Sequence, residues 1–485
     1  MKIPDISHSP LLKSLYSHAV EAPSKIALIT VDGESISYSG LTSKIERAAT
    51  LLQNRGLRAG DRIMLSAQKE IDFVYLYLGA HLIGVVNVVV DAKNNAEHLA
   101  YISSVTQPAL AIGMDIEGIP SLSYSSLEYP DCISLSSGKE LKSGMTADVM
   151  FTSGTTGKPK GVKLSHDNIY SSATNINGFI HNTSDDVELL GLPLCHSFGL
   201  GRLRCNILAG STVVLHNGFA NLKSVFDAFD HYGVTGFGMV PAVWAYIKRF
   251  SGNRIGRFAN RIRYIEIGSA TMATEDKELL NELFPDTRIC MHYGLTEASR
   301  AVFMEFHESR DDLATIGRSV SEKVEVAILD ETGTELEPLQ EGEICIKGNM
   351  VTTSYYKESD NAGAFINGYF RTGDWGYKTA DGSLYLVARK KELINVGGKK
   401  VSPVEIEEAL SKAGVGESMC VAVKDPDGIL GEVPKVYLVR GSFKGSPDDI
   451  KSRLLSMLEA YKLPRFFEVV NAIPKTASGK KKRTL

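Results

Sequence analysis

Short apolar runs alternate with stretches of helical periodicity through roughly the first 300 residues. IALITV leads into a helical pattern from Ser39 to about Arg55, and RIMLSA and ALAIG read as further strands. Later come STVVLH, a helix near Leu222 to Tyr232, VTGFGMV, RYIEIG, a helix near Thr274 to Phe284, and RICMHYG. Strands alternating with helices predict parallel α/β units with covered sheets. The run FVYLYLGAHLIGVVNVVV, residues 73–90, reaches the length of a membrane helix. Two glycines, His81, Asn87 and a β-branched second half predict instead a buried helix running into a buried strand.

From about Ser319 the texture changes to short strands with Gly and Asp turns, including VEVAILDETG, GEICIKG and YFRTGDWGYKTADGSLYLV, which reads as antiparallel β. After Arg389, Ser402-Pro403-Val404-Glu405 and Ser446-Pro447-Asp448-Asp449 each carry a cap followed by Pro at the first helical position. The expected fold class is α/β, with layered α/β units plus a small β-barrel-like section in an N-terminal domain, residues 1–390. A small α+β domain, residues 391–485, follows.

Composition narrows the partners. Charged residues make up 23% and the net charge is -4, without the basic excess that nucleic acid or an anionic membrane favours. The six cysteines show no CxxC or metal-type spacing, which predicts reduced thiols in a cytoplasmic protein. The start, MKIPDISHSPLL, lacks the features of a signal peptide, and no integral membrane segment is expected.

TSGTTGKPKG, residues 152–161, is the most polar and glycine-rich stretch between two strand patterns. Glycines let backbone amides approach an anion, hydroxyls add donors, and Lys158 and Lys160 add charge, a set suited to a polyphosphate. A solvated hairpin tip is the other reading of the same residues. The Walker A pattern is excluded, because Gly154 and Gly157 stand too close together and Lys158 is followed by Pro159.

TSGTTGKPKG resembles the phosphate loop of the adenylate-forming superfamily, which contains acyl-CoA and aryl-CoA synthetases, luciferase-like enzymes and peptide-synthetase adenylation domains. Further motifs follow in that superfamily's order: LPLCHSFGL (192–200), GSA (268–270), YGLTE (293–297), YFRTGDW (369–375), ARKKELINVGGKKVSP (388–403) and PKTASGK (474–480). The resemblance spans nearly the whole chain and implies ATP-dependent activation of a carboxylic acid to an acyl-adenylate, with release of pyrophosphate. Transfer to a thiol, that of CoA, would complete the reaction.

The chemistry sets one anion against another, so it calls for positioned cations, a metal and fixed geometry. By resemblance, Thr152, Ser153, Gly154, Thr155, Thr156, Gly157 and Lys158 cover the ATP phosphates. Thr296 and Glu297 position the α-phosphate and Mg²⁺. Gly268, Ser269, Ala270, Tyr293 and Gly294 form the adenine shelf, and Asp374 and Arg389 meet the ribose. Lys480 carries the charge of transfer. Lys391 marks the hinge of a mobile C-terminal domain, and Gly398 lies beside the pantetheine path; Ala388 stands where that motif usually has glycine.

His196 places the chain with the acyl and aryl branch, and the acyl pocket is expected to include His196, Phe198 and Arg202. Arg202 has two readings: it pairs with a second polar group on the substrate, or with a buried Glu. A freestanding enzyme that loads the phosphopantetheine of a carrier protein is the alternative to a CoA ligase. A luciferase-like oxidative outcome has no positive support, and a non-catalytic ATP sensor is disfavoured by an intact Lys480 and Glu297.

Overall fold

The computed structural model describes residues 3–68, 71–91, 93–132, 135, 140–152, 159–475 and 481–483. Two large sheets dominate the first part of the chain. One has nine strands, and its centre, from Ile26–Ile29 through Thr212–Leu215, Val187–Leu190, Gly236–Met239 and Tyr264–Ile267 to Arg288–Tyr293, is parallel throughout. The other has six strands, in which Leu110–Ile112, Arg62–Ser66, Val86–Val90 and Thr146–Thr152 run parallel and Lys160–Ser165 closes the edge antiparallel. The predicted helices appear as Tyr38–Asn54, Leu222–Tyr232 and Thr274–Leu283. Phe237, Ile265 and Ile289 of the larger sheet pack with Phe229, Trp244, Phe258 and Phe284 in one buried cluster.

Residues 73–90 form the buried helix and strand that their composition predicts, Ile71–Leu82 and Val86–Val90. Among the described residues no helix is long and apolar enough to cross a membrane. His81 and Asn87, the polar members of that run, have a specific use. The buried Asp148 carboxylate, on Thr146–Thr152, lies 2.8 Å from His81 Nε2 and accepts hydrogen bonds from Tyr77 Oη at 2.7 Å and Asn87 Nδ2 at 3.4 Å.

The helix Ser197–Ala209 is buried continuously from Phe198 to Ile207 and carries two arginines inside that stretch. Successive helical residues turn by about 100°, so Arg202 and Arg204 project about 200° apart. Arg204 pairs with Asp148 of the six-stranded sheet. Arg202 pairs with Glu188, on Val187–Leu190, and with Glu266, on Tyr264–Ile267, both in the nine-stranded sheet. One helix thus neutralises buried acids on both sheets.

Beyond Ser319 the antiparallel texture materialises as a five-stranded sheet containing Val324–Leu329, Gly342–Gly348, Phe365–Ile366, Tyr369–Lys378 and Leu384–Arg389. Further on, Ser418–Lys424, Glu432–Val439 and Phe466–Val470 form a three-stranded sheet that shares a core with the helices Pro403–Lys412 and Pro447–Leu454. Ser446 and Asp449 make a complete reciprocal cap, and Ser402 accepts from the Val404 and Glu405 amides. Compactness divides the chain into Met1–Leu313, Gly317–Glu325 and Ile346–Phe370 as one unit, and Ala314–Ile316, Val326–Cys345 and Arg371–Leu485 as a second. The expected division near residue 390 therefore falls inside the second unit. Ser402, at the start of Pro403–Lys412, donates its hydroxyl to the Val387 carbonyl at 2.6 Å and so ties the hairpin of Tyr369–Lys378 and Leu384–Arg389 to the chain that follows.

Burial alone would raise the Asp148 pKa, but His81 and Arg204 overcome it and bring the value from 3.8 down to about 2. A carboxyl depressed in the folded state stabilises the fold above its unfolded pKa and loses that contribution as the pH falls through the folded value. Urea unfolding is expected to show stability falling between pH 4 and about pH 2, with the fall reduced in Asp148→Asn. Arg204→Leu, which strands a buried carboxylate, is expected to cost about 3–5 kcal/mol at neutral pH in the same measurement.

Candidate active site

Three parallel strands of the nine-stranded sheet deliver His196 and the GSA and YGLTE residues just beyond their carboxyl ends, where open α/β sheets bind ligands. Val187–Leu190 runs on to His196, Tyr264–Ile267 runs directly into Gly268, Ser269 and Ala270, and Arg288–Tyr293 leads to Gly294, Thr296 and Glu297. Apolar strand residues thus bring together, within the first unit, motifs separated by a hundred residues of sequence.

The small residues of GSA and YGLTE have identifiable steric reasons. A Cβ on Gly268 would lie 2.1 Å from the His292 ring, so the space at that glycine is already taken by an imidazole from the adjacent strand. The smallness of Gly268, expected to accommodate a flat ligand ring, is needed first by the protein itself. A Cβ on Gly294 would lie 2.3 Å from the Arg300 amide, because the loop after the strand folds back on itself. Leu295 and Ala298 exchange backbone hydrogen bonds of 3.1 and 3.2 Å across that loop. Ser269 has a left-handed backbone, φ 75°, which a residue with a Cβ adopts at a cost.

Glu297 is 7% exposed, and its Oε1 accepts a 2.7 Å hydrogen bond from Tyr355 Oη. Burial and the adjacent carboxylate push the Tyr355 phenol far above its ordinary pKa, so it stays a donor. The ammonium of Lys160 sits 4.8 Å from the centre of the Tyr355 ring. Lys160 opens the strand after the polar loop and lies opposite Thr152, whose hydroxyl is 3.5 Å from the Lys160 carbonyl. The expected loop between strands is thereby framed by Thr152 and Lys160. Ser153, Gly154, Thr155, Thr156, Gly157 and Lys158, with Lys480, lie outside the described residues.

Arg202 requires a correction. It is fully buried; its Nε donates to Glu188 at 2.9 Å, its Nη1 lies 3.2 Å from Glu266 Oε2, and its Nη2 donates to Asn182 at 3.1 Å. An arginine committed to two carboxylates in the interior is not a reader of substrate charge, and the buried-Glu alternative is the one the structure adopts. Phe198 is buried too, edge-on to the His292 ring with centroids 4.6 Å apart. His196 is exposed at the start of the helix Ser197–Ala209 and spends no side-chain hydrogen bond on capping it. The surrounding protein desolvates its imidazole and lowers its pKa, with Asp91 acting in the opposite direction.

Residues that sequence reasoning passed over hold this arrangement together. Glu266 Oε1 accepts from Arg300 Nε at 2.7 Å and lies 2.7 Å from His292 Nδ1. Arg300 continues to the start of the helix, donating 3.3 and 2.7 Å hydrogen bonds to the carbonyls of Ser197 and Phe198. A Cβ on Gly201 would lie 2.4 Å from Arg300 Nη1, so that glycine admits the guanidinium to the helix surface. Despite full burial, Arg300 and His292 hold the Glu266 carboxyl far below its ordinary pKa. Arg300 follows Thr296 by four residues, but nothing in that spacing signals its partners, which come from the strand Tyr264–Ile267 and the start of the helix Ser197–Ala209.

The remaining candidates belong to the second unit. Asp374 and Arg389 stand directly opposite in the antiparallel hairpin, with Arg389 Nε 2.8 Å from Asp374 Oδ1. A bulge between Trp375 and Gly376 lies immediately beside this pair. Asp374 is almost completely buried, whereas Arg389 is partly accessible. Lys391 occupies an exposed turn after Leu384–Arg389, and Gly397 and Gly398 make a two-residue turn with φ 58° and 88° between Ile394–Val396 and Lys399–Val401.

Glu297 and Thr296, just past the carboxyl end of a parallel strand, occupy the place where open α/β sheets bind ligands. The profile of the AMP-binding enzyme family matches residues 15–356, and that of the AMP-binding enzyme C-terminal domain matches residues 405–480; the chain belongs to this family. It is 30% identical over 477 residues to the 2-succinylbenzoate–CoA ligase of Bacillus subtilis (strain 168), covering 96% of this chain and 95% of that protein. It is 29% identical over 527 residues to 4-coumarate-CoA ligase 1 of Narcissus pseudonarcissus, covering 99% and 94%. The solved o-succinylbenzoate CoA synthetase of Bacillus subtilis with an acyl-adenylate intermediate superposes with a TM-score of 0.87 at 29% identity, covering 97% of this chain and 96% of that one. The same enzyme in complex with ATP and magnesium gives 0.86, again at 29% identity and covering 97% and 98%.

The left-handed Ser269 supports a direct test. Ser269→Gly is expected to raise stability in chemical unfolding by up to about 1 kcal/mol, and Ser269→Val to lower it by about 1–2 kcal/mol. Equal effects of the two substitutions would show that the backbone at 269 is not strained.

Proposed function

We propose that the chain is an AMP-forming acid:CoA ligase: it activates a carboxylic acid with ATP, releases pyrophosphate, and passes the acyl group from the adenylate to the thiol of CoA. The observation that carries this reading is the buried Glu297 carboxylate, hydrogen-bonded to Tyr355 with the Lys160 ammonium over the Tyr355 ring, in a chain whose relatives are named as CoA ligases over almost their full length.

The residues present fit the groups this reaction requires. Glu297 offers a buried hard-oxygen donor oriented by Tyr355, the chemistry Mg²⁺ selects. Bound there, Mg²⁺ would neutralise phosphate charge as pyrophosphate leaves. Thr296 orients the α-phosphate, and Thr152, Ser153, Gly154, Thr155, Thr156, Gly157 and Lys158 bind the outer phosphates, with Lys160 adding a fixed positive charge at the base of the loop. Ser269, Ala270, Tyr293 and Gly294 border the adenine, and Asp374, aligned by Arg389, accepts from the ribose hydroxyls. Lys480 supplies the ammonium that gathers carboxylate and phosphate charge in the transfer. Lys391 serves as the pivot that exchanges the adenylating and thiol-accepting states, and Gly398 borders the pantetheine path.

With Arg202 committed to the interior, His196 is the candidate that meets the acid. An imidazole whose pKa is lowered by its surroundings is neutral near pH 7, so it offers a hydrogen bond rather than a charge. Aromatic acids, which the named relatives also use, head the substrate panel. Six cysteines without a disulfide suit a reducing cytoplasmic setting.

Pyrophosphate release, measured with and without CoA over aromatic, aliphatic, dicarboxylic and amino acids, is expected to require Mg²⁺ and to fall about 10²–10³-fold in Lys480→Ala. Appearance of a CoA thioester completes the assignment. Adenylate without thioester would move the acceptor to the phosphopantetheine of a carrier protein, and absence of any acid-dependent signal would overturn the reading. Arg202→Leu is expected to cost about 3–5 kcal/mol of stability while leaving the ratio of kcat/KM between neutral and dicarboxylic acids unchanged.

A further inference from the structure

We propose that Asp91, Cys195 and His196 form a second cation site, selective for a borderline-soft divalent transition metal such as Zn²⁺, and that filling it withdraws His196 from the acyl pocket. The three residues each offer one ligand atom, and these atoms all lie within 4.8 Å of one another. A thiolate, an imidazole nitrogen and a carboxylate oxygen are the donors that zinc takes, and three protein ligands leave a fourth position open. Zinc–ligand lengths of about 2.0–2.3 Å place tetrahedral donors about 3.3–3.8 Å apart, within reach of rotamer adjustment from the observed spacing.

The fold gives the triad a structural origin. Asp91 follows Val86–Val90 in the six-stranded sheet, and Cys195 and His196 follow Val187–Leu190 in the nine-stranded sheet. The carboxyl ends of parallel strands from both sheets therefore converge on one spot. Lys93 donates its backbone amide to Asp91 Oδ1 at 2.9 Å, which fixes the carboxylate. His196 caps the helix Ser197–Ala209 by position without using its ring for the purpose. Asp91 and Cys195 are half-buried and His196 is exposed, so a hydrated cation has access.

The donor set separates this cation from the one at Glu297. Mg²⁺ takes oxygen ligands in near-octahedral geometry, whereas thiolate and imidazole favour Zn²⁺, Co²⁺ and Cu²⁺. With the thiol ionised, the ligands carry two negative charges against a divalent ion. The metal site stands independently of the ligase reading; the loss of activity on filling it rests on that reading.

Co²⁺ titrated into the full-length protein in excess Mg²⁺ is the test, read as the thiolate-to-cobalt charge-transfer absorption and its displacement by Zn²⁺. The expected result is one equivalent bound in the wild type and in Cys132→Ser, the control for the exposed thiol. The band should vanish in Cys195→Ser, and affinity should fall at least about tenfold in Asp91→Asn. Zn²⁺ should inhibit pyrophosphate release by the wild type and not by Cys195→Ser, whose activity without zinc is retained. No band in the wild type, a band that survives in Cys195→Ser, or a band lost in Cys132→Ser would each overturn the site. The two ligand variants report independently, and each is read only where its unfolding midpoint matches the wild type.

Discussion

The constraint on which the first unit depends is the burial of two arginines on one helix. Arg202 and Arg204 point in nearly opposite directions from Ser197–Ala209, toward Glu188 and Glu266 on one sheet and Asp148 on the other. Buried ion pairs add little net stability compared with apolar packing, but an unmatched member is very costly. Their effect is therefore on specificity: the helix fits with both sets of acids in place, and a shifted register strands charge in the interior. Tyr77, His81, Asn87 and Tyr264 complete the hydrogen bonding around those carboxylates, so a polar network sets the position of an otherwise apolar layer.

The same network reaches the candidate site. Glu266 takes Arg202 on one oxygen and Arg300 on the other, and Arg300 holds the Ser197 and Phe198 carbonyls just after His196. His292, packed into the space left by Gly268, joins the same carboxylate. The start of the helix Ser197–Ala209, the GSA turn and the loop carrying Thr296 and Glu297 are thus tied to one buried carboxyl group. A site that must bring two anions together gains from such a frame, because its groups need no rearrangement as charge develops. The network places these elements without contributing a group to the reacting atoms.

Much of this was legible in the sequence, and the limits have physical causes. Alternating apolar runs marked the parallel strands because residues in a covered parallel sheet are apolar on both faces. The composition of residues 73–90 correctly signalled a helix followed by a strand. The GSA and YGLTE motifs stood out because their glycines answer local steric requirements at Gly268 and Gly294. Arg202 read ambiguously because an arginine in an apolar segment looks the same whether it faces a ligand or a buried acid, and Glu188 and Glu266 lie on separate strands. Arg300 and Tyr355 left no signal, since their partners are set by tertiary pairing. The division near residue 390 followed texture, while the hydrogen-bonded hairpin around it follows strand register.

That hairpin has a consequence for variation. The bulge between Trp375 and Gly376 sits next to Asp374, and a Cβ on Gly376 would lie 2.2 Å from the Tyr385 carbonyl, so the irregularity is locked where it stands. Bulges set local twist and register, and here the register that aligns Asp374 with Arg389 is anchored close to the pair and not at the distant turn, residues 379–383. The turn is accordingly free to lengthen, change composition or carry an inserted peptide, while the geometry of the carboxylate is inherited unchanged.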